Sequence, residues 1–301
     1  MMRNTNNHRS GISRPEVALL VFLALMVVGF SLVFLSRSWD NSHRVVCSEN
    51  LKNIGEACRR YQERKHYLPS SSIDKGYATW AVQIAPYLSK TDSDLLTNWD
   101  ESLTFYDQPE KVRTRRISTY FCPSRGRKKF LTDPGAKKTG DDKNTYPGLL
   151  GDYACSVGTD SKGHSWTSEN ANGAIIPAIV LAREDNRILK WKGQITLKGL
   201  QALRGTENTV LVGEKHVPFG KFGDAKVGDG SIFNGDIPGN FSRIGGQEHP
   251  ISQNATSPYR INFGSYHKGV CPFVMADTSI RWMNDDISAT VLGQLTNRFV
   301  P

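Results

Sequence analysis

The chain has 301 residues, of which 38% are apolar and 22% charged, with 27 Gly, 14 Pro and a formal net charge of +9. This balance suits a folded, loop-rich globular protein and argues against a helix bundle; one soluble domain with a real core is the simplest arrangement once the N-terminal apolar run is set aside. No Walker P-loop, G-x-S-x-G elbow, H-E-x-x-H or C-x-x-C motif occurs, so no enzymatic activity, cofactor or metal is expected from motif content.

Residues 1–16 form a basic leader. Behind it, nineteen residues from Val17 to Leu35 carry no charge. As a helix they would span ~28 Å, close to the ~30 Å hydrocarbon core of a bilayer. The run is longer than the apolar region of a secretory signal and is followed by Ser36-Arg37-Ser38-Trp39 without a small-residue cleavage pattern, so a retained single-pass anchor over 17–36 is expected, with Trp39 at the interface. Arg3, Arg9 and Arg14 precede the run, and no acid occurs before Glu16. The positive-inside rule then places the N-terminus in the cytoplasm and the remainder on the periplasmic side of an inner membrane. In that oxidising compartment Cys47, Cys58, Cys122, Cys155 and Cys271 can form up to two disulfides. The leader, Gly11-Ile12-Ser13-Arg14-Pro15-Glu16, resembles the prepilin cleavage signal, with Gly11 before the cut, Ile12 after it and Glu16 five positions on. Arg14 and Pro15 depart from that signal, and an uncleaved anchor with Glu16 at the headgroups is the alternative.

Residues 37–66 are expected to form an exported helix, continuing the anchor or restarting at Asp40-Asn41-Ser42. Cys47, Leu51, Ile54, Cys58 and Tyr61 follow steps of four, three, four and three, one stripe that needs a partner to bury it. Cys47 and Cys58 are too far apart along such a helix to bond to each other. Residues 67–301 form the remaining domain. Pro69 and the following serines end the helix, Thr79 to Leu88 reads as a short core helix, and Glu110 to Arg116 as another helical turn. Between Lys111 and Lys138 ten Lys or Arg face one acid, Asp133, a surplus equal to that of the whole chain. A solvated loop is the simpler reading; the functional one is contact with an anionic glycan or lipid headgroup through Arg125, Arg127, Lys128 and Lys129, with nucleic acid not the expected partner.

Short strands are expected at 152–157, 173–176, 209–214, 260–263, 270–276 and 279–283, in an antiparallel or mixed sheet. The Gly-rich stretch from Lys215 to Pro258 carries Asp224, Asp229 and Asp236 without the spacing of an EF-hand loop, and these acids read as solvated. A closing helix is expected over Ile287 to Leu295.

Five segments carry a family resemblance. Cys47-Ser48-Glu49-Asn50-Leu51-Lys52, Trp80 to Leu88, Phe121-Cys122-Pro123-Ser124, Gly205 through Glu214, and His267 followed by Asp277 resemble, in order, motifs of the DUF1559 proteins abundant in planctomycete bacteria, the last being their H-X9-DG element with Thr278 in place of Gly. The resemblance implies a pilin- or pseudopilin-like α+β fold: a long N-terminal helix, its lower part transmembrane, packed on an antiparallel or mixed sheet with long loops. It strengthens the prepilin reading of the leader and implies no known activity. Because Cys47 and Cys122 both lie in matching segments, Cys47–Cys122 is the first disulfide suggested and Cys155–Cys271 the second.

If 267–283 is a hairpin, Asp277 caps its turn and Thr278 argues against the left-handed geometry that Gly would supply. A catalytic or metal site around His267 and Asp277 would need further ligands, for which Glu214 and His216 are the nearest by residue type. Three functions follow as expectations: first, a membrane-anchored pseudopilin-like subunit working with pilin-like subunits or secretion machinery; second, a binding module for an anionic glycan; last, a hydrolase using His267 and Asp277.

Overall fold

Helix α1, Arg14–Lys65, is the first element of the computed structural model, which describes residues 14–89, 98–159, 165 and 167–299, with backbone only for 32–39 and 142. Gly11 and Ile12 lie outside the described residues. Pro15 stands in the first turn, where its missing N–H breaks no helical bond; Glu16 complements the positive end of the helix dipole, and Arg64 and Lys65 the negative end. His66 ends the helix in the left-handed region at φ 68°. Asp40 to Ser42 is helical, so the alternative restart there is not used.

The chain divides into two compact units, Met1–His43 and Arg44–Pro301. In the first, the apolar residues of α1 face outward: Leu19, Phe22, Leu25 and Phe30 are all exposed, and Arg14–Ser31 is long and apolar enough to cross a membrane, with none of it buried. In the second, the stripe of α1 is turned inward, with Cys47, Leu51, Ile54, Cys58 and Tyr61 fully buried. Each large apolar side chain so buried stabilises the fold by ~1.5–3 kcal/mol.

The stripe shares a core with one face of a five-stranded mixed sheet, in the order β7 (Ser242–Ile244), β3 (Tyr153–Gly158), β6 (Val210–Glu214), β8 (Val270–Met275), β9 (Ile280–Asn284). All neighbours are antiparallel except β3 and β7. Tyr153, Cys155, Val212 and Val274 meet the α1 stripe. Val210, Cys271, Phe273 and Met275 form a second core with Leu292 and Leu295 of the closing helix, Ala289–Thr296. Helix α2, Trp80–Ile84, is buried throughout, and Trp80 Nε1 donates to Phe241 O at 2.8 Å. Glu110–Arg113 makes the expected helical turn.

Three local expectations change. Residues 173–176 are buried but irregular: Gly173 N and Ile175 N donate to Val157 O and Ser156 O beside β3, an approach so close that no Cβ fits at Gly173. Residues 260–263 make only isolated bridges. A hairpin of β4 (Ile179–Glu184) and β5 (Arg187–Lys192) was not anticipated, because its charged, half-exposed residues blur the period-two signal. Two further strands, β1 (Ala136–Lys138) at the end of the basic region and β2 (Asp141–Tyr146) just after it, pair with each other.

The turn between β8 and β9 is also corrected. Thr278 N donates to Met275 O, Asp277 Oδ1 accepts from Ser279 N and Oγ, and Thr278 does adopt the left-handed conformation, at φ 70°. The reason is three-residue hairpin geometry, in which a type I turn is followed by a left-handed residue regardless of side chain. This turn rests on α1 at Gly55, where an added Cβ would lie 2.6 Å from Val274 Cγ2 and 3.6 Å from Thr278 Cα. Gly55→Ala is therefore expected to lower stability by about 1–3 kcal/mol through overpacking, measured as a reduced urea midpoint with unchanged slope.

Candidate functional site

Tyr153 pairs with Glu214, so β3 begins where β6 ends. Four segments converge at this end of the sheet: α1 through Cys47, the turn after Phe121 through Cys122 and Ser124, β6 through Glu214, and the loop before β8 through His267. Local structure aims each side chain. Pro123 opens a single 3-10 turn, Pro123–Arg125, which closes on Gly126 at φ 56°. Asp152 Oδ2 accepts from Cys122 N at 2.9 Å, and the Asn50 amide ties Phe121 O to α1 at 2.9 Å. Ser265 Oγ accepts from His267 N at 3.0 Å and donates to Glu214 Oε2 at 2.8 Å.

His267 Nε2 lies 3.2 Å from Cys47 Sγ, 3.5 Å from Cys122 Sγ and 3.6 Å from Glu214 Oε1. The two sulfurs are 2.9 Å apart, and Ser124 Oγ is 3.2 Å from His267 Nδ1. All four central residues are buried, and the Trp282 indole meets the imidazole edge to face at 5.0 Å between centroids. Burial raises the Cys122 thiol. The Cys47 thiol is also raised: its hydrogen bond with Cys122 acts downward, but burial and the Glu214 charge together outweigh it. Burial alone would lower His267, but the contact with Cys122 and the nearby Glu214 carboxylate lift it to about 10. Burial would raise Glu214, and His267 and Arg125 bring it below its ordinary value. Two neutral thiols thus flank an imidazolium–carboxylate pair, and the four side chains offer two sulfurs, a nitrogen and an oxygen that could hold a metal ion.

Behind the cluster lies a buried network of ion pairs. Arg125 reaches Asp152 at 3.4 Å and Glu214 at 3.7 Å, and donates to the carbonyl of Lys215. Arg127 binds Asp152 at 2.5 Å and Asp229 through two 2.7 Å bonds, and Lys215 Nζ completes the set 3.2 Å from Asp229. Burial opposes the charge on Arg125 and Arg127, yet the surrounding carboxylates hold both guanidiniums above their ordinary value. Lys215 is the weakest member, lowered by burial to about 7 despite Asp229.

Several expectations are revised here. Arg125 and Arg127 are not an exterior anion-binding pair, because burying a guanidinium requires an internal counter-charge, and Asp152, Glu214 and Asp229 supply it. Lys128 and Lys129 are exposed, and Lys129 pairs with Asp133. Asp229 is not a solvated loop acid but fully buried. Asp277 is not near His267: β8 separates them, ~20 Å for six residues of strand. Nor does His216 join the cluster; its Nε2 lies against Ser257 O at 2.7 Å. The five cysteines are free and buried. Cys47 and Cys122 face each other unbonded, whereas Cys155 and Cys271 stand on β3 and β8, separated by β6 and in opposite cores, beyond the ~7 Å Cα limit of a disulfide.

Of the motif residues, Cys47, Asn50, Cys122, Pro123, Glu214 and His267 meet at this end of the sheet, Leu51 enters the core and Asp277 makes the distal turn. Residues 41–290 match a family described as a protein of unknown function, DUF1559. The chain belongs to the DUF1559 family. No curated protein and no solved structure matches it. Sequence reasoning missed Asp152 and Asp229, which lie in no motif. It paired Cys47 with Cys122 and offered Glu214 as a ligand beside His267, but did not join the two pairs into one site, although each residue stands in a motif segment of this DUF1559 chain, because separations of 75 and 145 residues carry no local spacing signal.

Two measurements probe the network. Asp229→Asn leaves Arg127 buried with its counter-charge reduced and should cost about 3–5 kcal/mol in denaturant unfolding. Burial alone would raise the Asp229 carboxyl, but Arg127, Lys215 and the Gly223 N–H hold it well below its ordinary 3.8. The unfolded chain therefore takes up this proton first as pH falls. Stability from Asp229 is complete above that ordinary value and is lost progressively below it, so urea midpoints should drop steeply between pH 4 and pH 2.

Proposed function

We propose that this DUF1559 protein is a membrane-anchored, pilin-like structural and interaction subunit of the cell envelope, without enzymatic activity. The observation that carries the reading is the division of labour along α1: an apolar stretch exposed over Arg14–Ser31, and a stripe from Cys47 to Tyr61 buried in an α+β domain with a mixed sheet. An exposed apolar helix of that length is stable in lipid and not in water. Arginines on its N-terminal side favour a cytoplasmic N-terminus in the inner membrane, with Arg44–Pro301 exported. Glu16, in the first turn of α1, stands five residues after Gly11, the spacing of a prepilin-type signal. Its partners in this reading are other pilin-like subunits or secretion machinery. The glycan-binding alternative loses support from the internal pairing of Arg125 and Arg127.

Intact-mass analysis of the protein taken from its native membrane tests the reading. A mature chain beginning at Ile12, resistant to extraction by alkaline carbonate, is the expected result. A chain retaining residues 1–11 would overturn prepilin-type processing, and release by carbonate would overturn the anchor.

A further inference from the structure

We propose that Cys47, Cys122, His267 and Glu214 form a closed tetrahedral zinc site that ties α1 and the Cys122 turn to the end of the sheet. Two sulfurs, one imidazole nitrogen and one carboxylate oxygen lie within 4.8 Å of one another, all in buried residues. Bonds of ~2.0–2.3 Å to a central zinc put the corners of a tetrahedron ~3.3–3.8 Å apart. Three of the edges, from His267 Nε2 to Cys47 Sγ, Cys122 Sγ and Glu214 Oε1, measure 3.2, 3.5 and 3.6 Å. The sulfur–sulfur edge, at 2.9 Å, opens by less than ~1 Å to reach the same range.

A second observation points independently to a ligand. Glu214 Oε1 is fully buried and, with His267 Nε2 3.6 Å away, makes no hydrogen bond, while Oε2 of the same carboxylate is held by Ser265. Leaving a buried carboxylate oxygen without a hydrogen bond is costly, and a cation at the centre of the four donors would satisfy it. The surroundings also fit. Ser124 Oγ faces His267 Nδ1, which orients the ring so that Nε2 points at the other donors, as outer partners of metal-binding histidines do. Two thiolates and a carboxylate around a divalent ion leave one negative charge, and the Arg125 guanidinium, 3.7 Å from Glu214, offsets it.

Donor chemistry selects the metal class. Two sulfurs exclude calcium and magnesium, which take oxygen ligands, and an S2NO set of four protein donors suits zinc. With no position left for water, the site is structural rather than catalytic. The proposal is independent of pilin-like assembly, since all four ligands belong to the Arg44–Pro301 unit.

The test uses full-length protein purified in detergent without chelator. Elemental analysis should find about one zinc per chain with Cys47 and Cys122 as free thiols, and exchange with cobalt(II) chloride should give thiolate-to-cobalt charge-transfer and tetrahedral d–d bands. Glu214→Gln and His267→Ala should each weaken zinc retention against a competing chelator by at least about tenfold. Cys271→Ser, a change at a buried cysteine outside the cluster, should not. Loss of folding in a ligand variant leaves the cobalt spectrum of the unaltered chain to decide. A metal-free protein with a Cys47–Cys122 disulfide, an octahedral cobalt spectrum, or zinc retained unchanged after Cys47→Ser would each overturn the proposal.

Discussion

Six charged side chains, Arg125, Arg127, Lys215, Asp152, Asp229 and Glu214, are buried together where β3 begins and β6 ends. None is tolerable there alone, since an isolated charge in a low-dielectric interior carries a penalty of several kcal/mol. Their mutual pairing is a strict geometric demand: the 121–127 turn, the start of β3, the end of β6 and the Gly-rich stretch around Asp229 must all be in place at once. Arg243 extends the same principle without a carboxylate. It is fully buried and donates to carbonyls of Asn262, His216 and Ser242, with burial lowering it to about 10. Long loops that would otherwise be loosely held are pinned to the sheet in this way.

The basic segment shows how composition can mislead. Its surplus of nine positive charges reads as an electrostatic surface, yet Arg113, Arg125 and Arg127 point inward. Arg113 donates to Pro147 O and lies over the Phe105 and Tyr146 rings, and Arg116 stacks on Phe130 at 3.8 Å. The planar guanidinium allows this, because it can meet a carboxylate fork or an aromatic face while its stem is covered. Lysine, a strongly hydrated point charge, is left mostly outside, and Lys128 and Lys129 follow that rule.

Helix α1 carries two patterns along one element. Over Val17 to Ser31 it exposes apolar side chains on every side, and its stretch within Arg44–Pro301 is apolar along one buried stripe, as a helix lying on a sheet must be. At Gly55 helix and sheet lie too close for a Cβ, against Val274 and the Thr278 turn. That turn keeps Thr278 in a left-handed conformation that disfavours β-branched residues, so the hairpin register and its packing on α1 outweigh a local preference of ~1–2 kcal/mol.

Periodicity and turn residues suffice to read α1, its buried stripe, the strands at β3, β6, β8 and β9 and the closing helix, because each of these is written in residues close together in the chain, and the family is legible through the resemblance of its motif segments. The irregular path of 173–176, the β4–β5 hairpin and the inward turn of Arg125 and Arg127 were not legible, since each depends on what packs against it. The site belongs to the second group. In the sequence Cys47 pairs with Cys122 only as a suggested disulfide, and Glu214 stands beside His267 only as a further ligand by residue type, after Asp277, its neighbour in the motif. Strand β8 carries Asp277 away along its length, while the pairing of Tyr153 with Glu214 and the seating of α1 on the sheet bring the two cysteines and the glutamate to the imidazole. Local sequence encodes repeat and turn, but which distant side chains share one buried point is set by strand order and helix packing.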